Sequence, residues 1–462
     1  MPRRRPAAVL IACLPVTACN FDAYGLAATT DVELTASSSS STGVAPEPGS
    51  TGPGSSTGLS EPGTSEGGES SSSSSSGEMA CTEDCPPTPV WTVTTPGDAH
   101  ALVLDEAGDA VIAGERIQTN APASTDVWVA KFSGKAGQLA WETRHNGHQK
   151  GRDFARDVAL TADGTVVVAG GSEEVEGRRT DVWVGWLAGD TGELLASSNL
   201  MTTDWNGAGV KLDEWAETLA IDDDSGLVVA GTRCAVPCDV PDAWIGRFTA
   251  AGAPVWAEPM LACASGSFRG LVLDRESLLP FGTDGYDGSQ VPWRSLIRRL
   301  DAEGAGTWSA LPDPPQAEIG FVVLAGALAP DGGLWVVGSE IVAGTDGGFI
   351  RLYRPDDADT PIVELRGGAL AGELSAITLT GDGAPIIAGA TGRYPGRSLW
   401  LGQFTTELAP LWRIDEPSVE VNEARGIARD AEGGLMVLGV QLPPDNGPAT
   451  TWLRRYSPAG AA

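Results

Sequence analysis

The chain is internally repetitive, and this repetition limits the folds available to it more than any other feature. A fifteen-residue segment ending in glycine recurs seven times and aligns without gaps, at 100–114, 156–170, 217–231, 268–282, 324–338, 375–389 and 425–439. The closing glycines are 56, 61, 51, 56, 51 and 50 residues apart, and the copy at 268–282 is the most degenerate. A near-constant period indicates one supersecondary unit per repeat, stacked against its neighbours.

Each repeat is predicted to form four short β-strands. In the copy at 156–170, Val158 and Leu160 alternate with small residues, Asp163-Gly164 follows, and a run of valines begins at Val166. Asp-Gly between two such runs predicts a hairpin with a type I′ turn. An aromatic or large apolar residue then opens a third strand, and a fourth strand often carries tryptophan. Four antiparallel strands in seven copies predict an all-β fold, a seven-bladed β-propeller, with six or eight blades as alternatives.

Tryptophan is frequent, at 15 residues, and most of them belong to the repeat. Ten share third- or fourth-strand positions, where we expect them to pack between blades rather than to stack on a ligand. These blade anchors are Trp91, Trp128, Trp141, Trp183, Trp244, Trp256, Trp308, Trp400, Trp412 and Trp452. Any exposed member of the remaining set is a better binding candidate, and that set includes Trp205, Trp215, Trp293 and Trp335.

The seventh repeat stops just after its third strand, near Tyr456. The missing piece, an apolar residue followed by tryptophan, precedes the first repeat at 89–93. We therefore expect a strand near 89–93 to complete the last blade and to remove an open edge that would invite aggregation. The propeller domain is predicted to span 81–462.

The N-terminus is predicted to be an export signal. Three arginines precede an apolar run at 7–14, which is too short to span a bilayer, and Val16-Thr17-Ala18-Cys19 follows. This ending resembles a bacterial lipobox, which implies a lipoprotein signal peptide at 1–18 and a palmitate-bearing Cys19. An ordinary secretory signal is the alternative. The Asn20 that follows implies, by resemblance, sorting to the outer membrane or cell surface of a Gram-negative bacterium. Acyl chains on Cys19 would suffice for stable anchoring.

Residues 19–80 are predicted to be a disordered tether. Serine runs mixed with glycine, proline and glutamate offer hardly any apolar surface that would offset the ordering entropy. Residues 20–90 hold ten acidic and no basic side chains, and the whole chain has a net charge of −31. This acidity argues against nucleic acid as a partner, and against membrane contact other than through the lipid anchor.

The repeat motif resembles a known class. One part of the motif is Asp-Gly, any residue, three apolar residues and Ala-Gly. A second part follows, Asp-x-Trp and then Lys or Arg before Phe. Together they are similar to the delta-60 and SBBP-type propeller repeats of secreted and surface proteins in bacteria such as myxobacteria. A second resemblance, of 137–141 and 190–192 to pyrroloquinoline-quinone-type repeats, implies Gly-x-x-x-Trp docking of adjacent blades. The repeats here are longer, and no acid–arginine group is assignable to a quinone and its metal. We therefore expect no cofactor.

Close cysteine pairs and a few polar clusters are the other candidate sites. Cys81 with Cys85 and Cys234 with Cys238 are predicted local disulfides, although Cys263 could instead pair with Cys81 or Cys85. No histidine stands at zinc-ligand spacing from them. His145 and His148, with Asp153, are expected to lie in an inter-blade loop rather than to hold a metal. Asp222-Asp223-Asp224 falls on a hairpin turn, and calcium binding there stays an alternative.

These features favour an exported, lipid-anchored and monomeric propeller that acts as a non-enzymatic scaffold for protein or glycan partners. No catalytic residue is assigned, because no nucleophile elbow, phosphate loop or zinc-protease motif occurs. The alternative is a propeller enzyme, a polysaccharide lyase, glycosidase or quinoprotein-like protein with carboxylates at the central channel. A packed ring of Asp, Glu, His and Arg at the channel mouth would favour that alternative, and a bland channel would favour the scaffold.

Overall fold

The structure, a computed structural model, describes residues 85–118, 121–147, 151–173, 179–200, 212–235, 241–256, 260–264, 266–274, 277–284, 294–310, 319–342, 345–354, 361–392, 397–416, 421–443 and 447–458. These residues form 28 β-strands in seven four-stranded antiparallel sheets. The predicted seven-bladed β-propeller is confirmed, and the alternatives of six and eight blades are wrong. The predicted signal, Cys19 and the tether lie outside the described residues. Across the ranges given above, no helix is long and apolar enough to cross a membrane.

The first strand is β1 (Pro89–Pro96). Blade 1 holds β2 (Asp98–Leu104), β3 (Ala110–Gln118), β4 (Ala121–Phe132) and β5 (Leu139–His145). Blade 2 holds β6 (Asp153–Leu160), β7 (Val166–Glu173), β8 (Thr180–Leu187) and β9 (Leu194–Asn199). Blade 3 holds β10 (Leu212–Ile221), β11 (Leu227–Ala235), β12 (Asp242–Phe248) and β13 (Met260–Ala264). Blade 4 holds β14 (Gly266–Asp274), β15 (Ser277–Asp284), β16 (Arg294–Asp301) and β17 (Gly306–Ala310).

Blade 5 holds β18 (Ile319–Leu328), β19 (Leu334–Val342), β20 (Thr345–Tyr353) and β21 (Val363–Ala371). Blade 6 holds β22 (Glu373–Leu379), β23 (Pro385–Thr391), β24 (Ser398–Phe404) and β25 (Pro410–Glu416). Blade 7 combines β26 (Val421–Arg429), β27 (Leu435–Leu442) and β28 (Thr450–Tyr456) with β1. The first strand of each blade, β26 in blade 7, is called its inner strand below.

The seven inner strands close a ring around the central channel. Each lies beside the inner strands of the two neighbouring blades, and β2 meets β26 where the ring closes. Alternation along the strands buries one face of every blade against the next, so an apolar cluster fills each of the seven interfaces. Between blades 1 and 2, for example, Val129 and Trp141 pack with Val158 and Val168. The hydrophobic core is therefore divided among the blade interfaces.

The N-terminal strand completes the last blade. β1 pairs with β28, with Thr94 opposite Trp452. Ser457 N donates a hydrogen bond to Thr88 O at 2.8 Å, as Ser133 N donates to Gln138 O at 2.8 Å inside the turn of blade 1. Two segments that are far apart in the sequence thus occupy the place of the turn between the third and fourth strands, and no strand edge stays open between blades 1 and 7.

The Asp-Gly turns do not have the predicted type I′ geometry. Pairing stops at Leu160 and Val166, so five residues form the turn. Gly164 N donates to Thr161 O at 2.9 Å, and Gly164 alone has a positive φ, 82°, in this turn. A type I′ turn needs positive φ at both central residues. The Asp163 carboxylate instead accepts a hydrogen bond from Thr165 N at 3.2 Å, which stabilises the longer turn.

The degenerate fourth copy is one residue shorter than the gapless alignment implies. In blade 1, Gly114 pairs with Ala99, the residue before the copy begins. In blade 4, Gly282 pairs with Phe268, which is the first residue of the copy. The missing residue is in the β14–β15 turn, where pairing continues to Asp274 opposite Ser277. The residue that corresponds to His100 of blade 1 is therefore Arg269.

The basic residue of the repeat motif is held by an aspartate that begins the first hairpin turn. Asp222 Oδ1 accepts a hydrogen bond from Gly226 N at 2.6 Å, and Asp222 Oδ2 accepts one from Arg247 Nη2 at 2.7 Å. Equivalent pairs are Asp105–Lys131 at 2.7 Å, Asp274–Arg299 at 3.1 Å and Asp430–Arg455 at 2.8 Å. Blades 2, 5 and 6 lack both partners, with Thr161–Trp186, Ala329–Leu352 and Thr380–Gln403 at these positions. Asp222 therefore stabilises a turn and an ion pair, which weakens the calcium alternative.

Candidate binding site at the channel mouth

A β-bulge interrupts every inner strand at the same place. In blade 1 the pairing passes from Ala99 directly to Ala101, so His100 has no partner across the ladder. Bulges re-aim a side chain and are common next to functional sites. The seven bulge residues, called the bulge tier, are His100, Arg156, Glu217, Arg269, Leu324, Ser375 and Arg425.

The closing glycine of the repeat is what allows this bulge. A Cβ at Gly114 would lie 2.0 Å from Asp98 O, far closer than non-bonded atoms approach. The same clash with the carbonyl of the inner strand recurs at Gly170, Gly231, Gly282, Gly338 and Gly389, at 1.9 to 2.1 Å. At Gly439 a Cβ would lie 2.0 Å from the Trp452 ring and 2.6 Å from Glu423 O. The closing glycine and the bulge are thus one backbone unit that is repeated seven times.

His100 lies between two arginines of the neighbouring blades. Arg156 Nη1 is 2.6 Å from His100 Nε2, and Arg425 Nη1 is 3.2 Å from His100 Nδ1. Burial and then the charge of Arg156 lower the pKa of His100, while Asp98 and Glu115 oppose this effect. The imidazole is therefore neutral at pH 7. These contacts join the bulge residues of blades 7, 1 and 2.

Carboxylates hold the arginines on this side of the mouth. Glu115, on β3, is buried and lies 3.3 Å from Arg152 Nη2. Burial alone would raise the pKa of Glu115, but the hydrogen bond with His100 and the charges of Arg152 and Arg156 hold it well below its usual range. Glu423 lies 3.5 Å from Arg425 Nη2. Charge-assisted bonds of this kind fix the guanidinium orientations.

The same side carries a second bridge between blades. Arg397, on the connection before β24, lies 2.6 Å from Glu423 of blade 7 and 3.1 Å from Glu373 of blade 6. Glu373 and Glu423 directly precede the residues that pair with the closing glycines, as Asp98 does in blade 1. The inner strands of blades 6, 7 and 1 therefore present a row of carboxylates next to the bulge tier.

Blades 3 and 4 contribute an aromatic group to the mouth. Trp215 is half-buried and donates its indole N–H to Glu217 Oε1 at 2.8 Å. Arg269 Nη1 lies 3.5 Å from the same oxygen. Trp215 was one of the off-anchor tryptophans proposed from the sequence as binding candidates. Trp335 is fully buried, with its N–H bonded to Gly383 O at 3.1 Å, whereas Trp205 and Trp293 lie outside the described residues.

Asp157, next to the bulge residue of blade 2, is a carboxyl group with an altered pKa. It accepts hydrogen bonds from Leu219 N at 2.8 Å and Thr218 Oγ1 at 2.9 Å, both on the inner strand of blade 3. No cationic group contributes to its titration, and burial raises the pKa of Asp157 to about 6. Asp157 thus connects two blades in a form that takes up a proton near neutral pH.

Asp98, His100 and Glu115 place three metal-ligand atoms within 4.8 Å of one another. Guanidinium nitrogens of Arg156 and Arg425 already lie at hydrogen-bond distance from both nitrogens of the His100 ring. Positive charge at these positions opposes a cation. The group is therefore suited to ion pairing with arginine, and we assign no metal to it.

The third-strand tryptophans lie opposite the closing glycines. Trp128 pairs with Gly114 and Trp244 with Gly231, and both rings are fully buried. Trp183, Trp400 and Trp452 occupy the same position and are also buried, and blades 4 and 5 have Leu296 and Phe349 there. At Gly439 a Cβ would lie 2.0 Å from the Trp452 ring. Because the rings are buried, these tryptophans act in packing.

Three tryptophans predicted for fourth strands bind a turn of the next blade, although Trp256 lies in the connection before β13 and not in that strand. Their indole N–H groups donate to main-chain carbonyls in three pairs: Trp91 to Gly134 at 3.1 Å, Trp141 to Gly189 at 3.1 Å and Trp256 to Ala302 at 3.2 Å. Trp412 donates instead to Gln403 of its own blade at 2.7 Å, and in blade 7 two separate segments occupy the place of the corresponding turn. The Trp308 side chain lies outside the described residues.

The remaining candidates do not join the mouth cluster. Cys85 precedes β1 and Cys234 lies in β11, and neither is a free thiol. Cys81 and Cys238 lie outside the described residues, so both pairings stay predictions, as does any partner of Cys263. The His145 ring stacks on Trp183 at 4.9 Å. Asp153 accepts hydrogen bonds from Ser172 Oγ at 2.6 Å and Gly147 N at 2.8 Å, and His148 is outside the description.

The mouth lies at the end of the ring where the longest connection begins. Since strands alternate in direction, connections between blades and connections between second and third strands share the bulge end. Twelve residues separate Asn199 from Leu212 there, and nine separate Asp284 from Arg294. First hairpin turns of about five residues occupy the opposite end, together with the turns between third and fourth strands, where eleven residues separate Phe248 from Met260. The bulge residues therefore lie at the end that carries the connections between blades.

Comparisons with known proteins find distant structural similarities and no similar sequence. No protein-family model matches the sequence, and no curated protein sequence does. A protein of unknown function from Dyadobacter fermentans is 10% identical over 80% of this chain and 99% of its own, with a TM-score of 0.47. An α-L-arabinofuranosidase from Fusarium graminearum is 10% identical over 64% and 91%, with a TM-score of 0.44. The polysaccharide lyase Uly1 is 10% identical over 78% and 89%, with a TM-score of 0.45. These similarities carry no information about activity.

Proposed function

We propose that this protein is an extracytoplasmic, lipid-anchored binding propeller that holds a protein or glycan partner at the channel mouth. The observation that carries the proposal is the bulge tier. One backbone unit is repeated seven times, yet the side chain at its bulge differs in charge, size and polarity from blade to blade. A repeated backbone that carries different side chains can contact the different groups of an asymmetric ligand.

The anchor part of the proposal comes from the lipobox at 16–19 and its Cys19. Labelling cells with radioactive palmitate tests it directly. We expect label on the wild-type chain and none on a Cys19→Ser variant. An unlabelled wild-type chain would refute the lipoprotein assignment, and with it the proposed outer-membrane or cell-surface location.

The binding part is tested with envelope fractions, separated into polysaccharide and protein. The purified protein should co-sediment with one fraction, and a Glu217→Gln/Arg269→Gln variant at the mouth should lose at least about ten-fold of that binding, because one charge-assisted bond contributes about 1.5–3 kcal/mol. Arg413→Gln is the control, because Arg413 pairs with Asp415 on the outer strand β25. Equal retention by both variants would place the binding surface elsewhere.

A second candidate, a propeller enzyme, is favoured by one observation. The mouth holds a packed group of His, Arg and Glu, which is the arrangement expected of a propeller enzyme, and burial raises the pKa of Asp157, next to Arg156, to about 6. Carboxyl groups poised near neutral pH suit general acid–base catalysis. Incubation with neutral and acidic polysaccharides should then release reducing ends, and Asp157→Asn should abolish release. Binding without turnover across the panel would reject the enzyme and leave the scaffold.

A further inference from the structure

The two sides of the channel mouth differ in how completely their polar groups are bound within the protein. On the side of blades 7, 1 and 2, Arg156 and Arg425 both contact His100, and their side chains are only 8% and 16% exposed. Glu115 lies 4.0 Å from Arg156, and Glu423 lies 3.5 Å from Arg425. This cluster therefore connects the blades and offers few free groups to a ligand.

The side of blades 3 and 4 is less completely bound. Glu217 Oε1 accepts the indole N–H of Trp215 at 2.8 Å and lies 3.5 Å from Arg269 Nη1. Among the residues that the structure describes, Glu217 Oε2 has no hydrogen-bond partner, and neither does the buried Nε of Arg269. The Arg269 side chain is 33% exposed. A carboxylate oxygen and a guanidinium group thus remain available to a ligand.

The surroundings hold Trp215 and Glu217 in place. Directly after Glu217, Thr218 Oγ1 and Leu219 N donate hydrogen bonds to Asp157 of blade 2 at 2.9 and 2.8 Å. The Trp215 ring is half-buried, and its N–H is already bound to Glu217. The exposed part of the indole therefore presents apolar ring surface and not a hydrogen-bond donor.

Charge distinguishes among possible ligands. Glu217 and Arg269 form a pair without net charge, the next bulge residue, Leu324, is apolar, and Arg156 on the other side is paired with Glu115. An acidic ligand would place its charge beside Glu217, and a basic ligand would place its charge beside Arg269. A hydroxyl group both donates and accepts hydrogen bonds. Two adjacent hydroxyls can therefore bind the carboxylate and the guanidinium together.

We propose that Trp215, Glu217 and Arg269 bind an uncharged pyranose unit of a glycan, an inference that rests on the proposed binding function. The C–H face of the sugar ring packs on the Trp215 indole. One hydroxyl donates to Glu217 Oε2, and the adjacent hydroxyl accepts a hydrogen bond from the Arg269 guanidinium. Apolar surface beside a few fixed polar groups is the usual composition of a small-ligand site.

Calorimetry and saturation-transfer NMR with defined ligands test the proposal. The panel contains oligosaccharides of glucose, galactose, mannose and N-acetylglucosamine, an oligogalacturonate, and three peptides, namely oligoglutamate, oligolysine and a Gly-Ser repeat. We expect at least one neutral oligosaccharide to bind about ten-fold or more tightly than the oligogalacturonate and every peptide. Saturation transfer should be strongest to the sugar C–H protons that lie on the indole.

Variants locate the bound sugar. Trp215→Leu should abolish the saturation transfer, and Glu217→Gln and Arg269→Gln should each weaken binding about ten-fold through loss of a charge-assisted bond. Arg413→Gln on the outer strand β25 is the control and should keep the wild-type affinity. Thermal unfolding is recorded for each protein, because Trp215→Leu could disturb blade 3, whereas Arg269 is more exposed. Unchanged affinity in all three mouth variants would overturn the site.

The ligand class is tested separately from the binding function. Tighter binding of the oligogalacturonate or of any peptide than of every neutral sugar would overturn the uncharged pyranose. If no neutral sugar binds while mouth-dependent co-sedimentation with the envelope persists, this inference fails and the binding function stands. If that co-sedimentation is also absent, both fail.

Discussion

On the side of blades 7, 1 and 2, the channel mouth carries His100 between Arg156 and Arg425, with carboxylates behind them. On the side of blade 5, the same positions hold Leu324 and, two residues earlier, Val322. The backbone is alike on both sides. Each side has a bulge opposite a glycine, and a Cβ on that glycine would clash with the inner strand. The fold therefore fixes where a side chain points, and the sequence of each blade decides what chemistry is presented there.

This difference separates residues that maintain the ring from residues that act on a ligand. The closing glycines and the buried tryptophans recur in most blades and make the same contacts. The bulge tier recurs in position but not in identity. Changes to the first group should affect stability alike in both halves of the ring, and changes to the second should affect binding in one half.

The largest expected effect is loss of the bulge geometry. Gly170→Ala on the charged side and Gly338→Ala on the apolar side both place a Cβ about 2 Å from a carbonyl oxygen, so each should lower the free energy of unfolding by about 3 kcal/mol or more. Gly381→Ala is the control, because no atom lies within 4 Å of its Cβ position. Denaturant unfolding measures all three. If only one of the two substitutions lowered the free energy of unfolding strongly, the bulge would not have the same structural role in both halves of the ring.

The pH dependence of stability should depend on Asp157. The pKa of Asp157 in the folded protein, about 6, is above the ordinary value of 3.8, so the folded state favours the protonated carboxyl group. The resulting stabilisation of the fold is fully present below about pH 4 and is lost as pH rises through 6. Between pH 4 and 7 the wild type should lose about 2 kcal/mol relative to Asp157→Asn. Urea unfolding at both pH values checks this difference. Asp223→Asn, in an exposed turn, should keep the wild-type dependence, and an identical loss in Asp157→Asn would refute the assignment.

A smaller effect is expected from the turn ion pair. A double-mutant cycle of Asp222→Asn and Arg247→Gln in blade 3 should give a coupling of about 1 kcal/mol, since both groups are mostly buried and bonded at 2.7 Å. The matched cycle in blade 2, Thr161→Ala with Trp186→Leu, should give almost no coupling. Thermal and urea unfolding provide both values. Equal coupling free energies in the two blades would show that the ion pair between Asp222 and Arg247 does not stabilise blade 3.

The smallest effect is expected at the apolar bulge. Leu324→Gln should change the free energy of unfolding by about 0.5 kcal/mol or less, because the side chain is half-buried at the channel. Binding of envelope fractions should also be unchanged. A marked loss of binding in this variant would extend the functional surface to blade 5 and remove the contrast between the two sides.

Most of the fold was predictable from the sequence. The period gave seven blades, because each repeat carries its own alternation of apolar residues and its own tryptophans. The type of the Asp163-Gly164 turn was not predictable, since Asp-Gly also fits a longer turn in which only the glycine is left-handed. The alignment of the fourth copy was not predictable either, because one residue is missing from a turn whose sequence is degenerate.

The site was less predictable. Its residues stand at the first column of the repeat, where the sequence reads His100, Arg156, Glu217, Leu324, Ser375 and Arg425. Variation at this column within an otherwise repeated pattern was the available signal. A bulge adds a residue without breaking the alternation on either side, so pattern alone gives no direction for the side chain. The contact between His100 of blade 1 and Arg425 of blade 7 also depends on ring closure, which joins residues 325 positions apart.

The central claim is that the partner binds at the mouth and not at the turns of the opposite end. A photo-crosslinking residue placed at exposed Asn146, on the connection between blades 1 and 2, tests it against the same residue at exposed Asp382, in the first hairpin turn of blade 6. Benzophenone inserts into C–H bonds and so reports protein and glycan partners alike. We predict crosslinks to the envelope partner from position 146 and none from position 382. Crosslinks from position 382 alone would contradict the account.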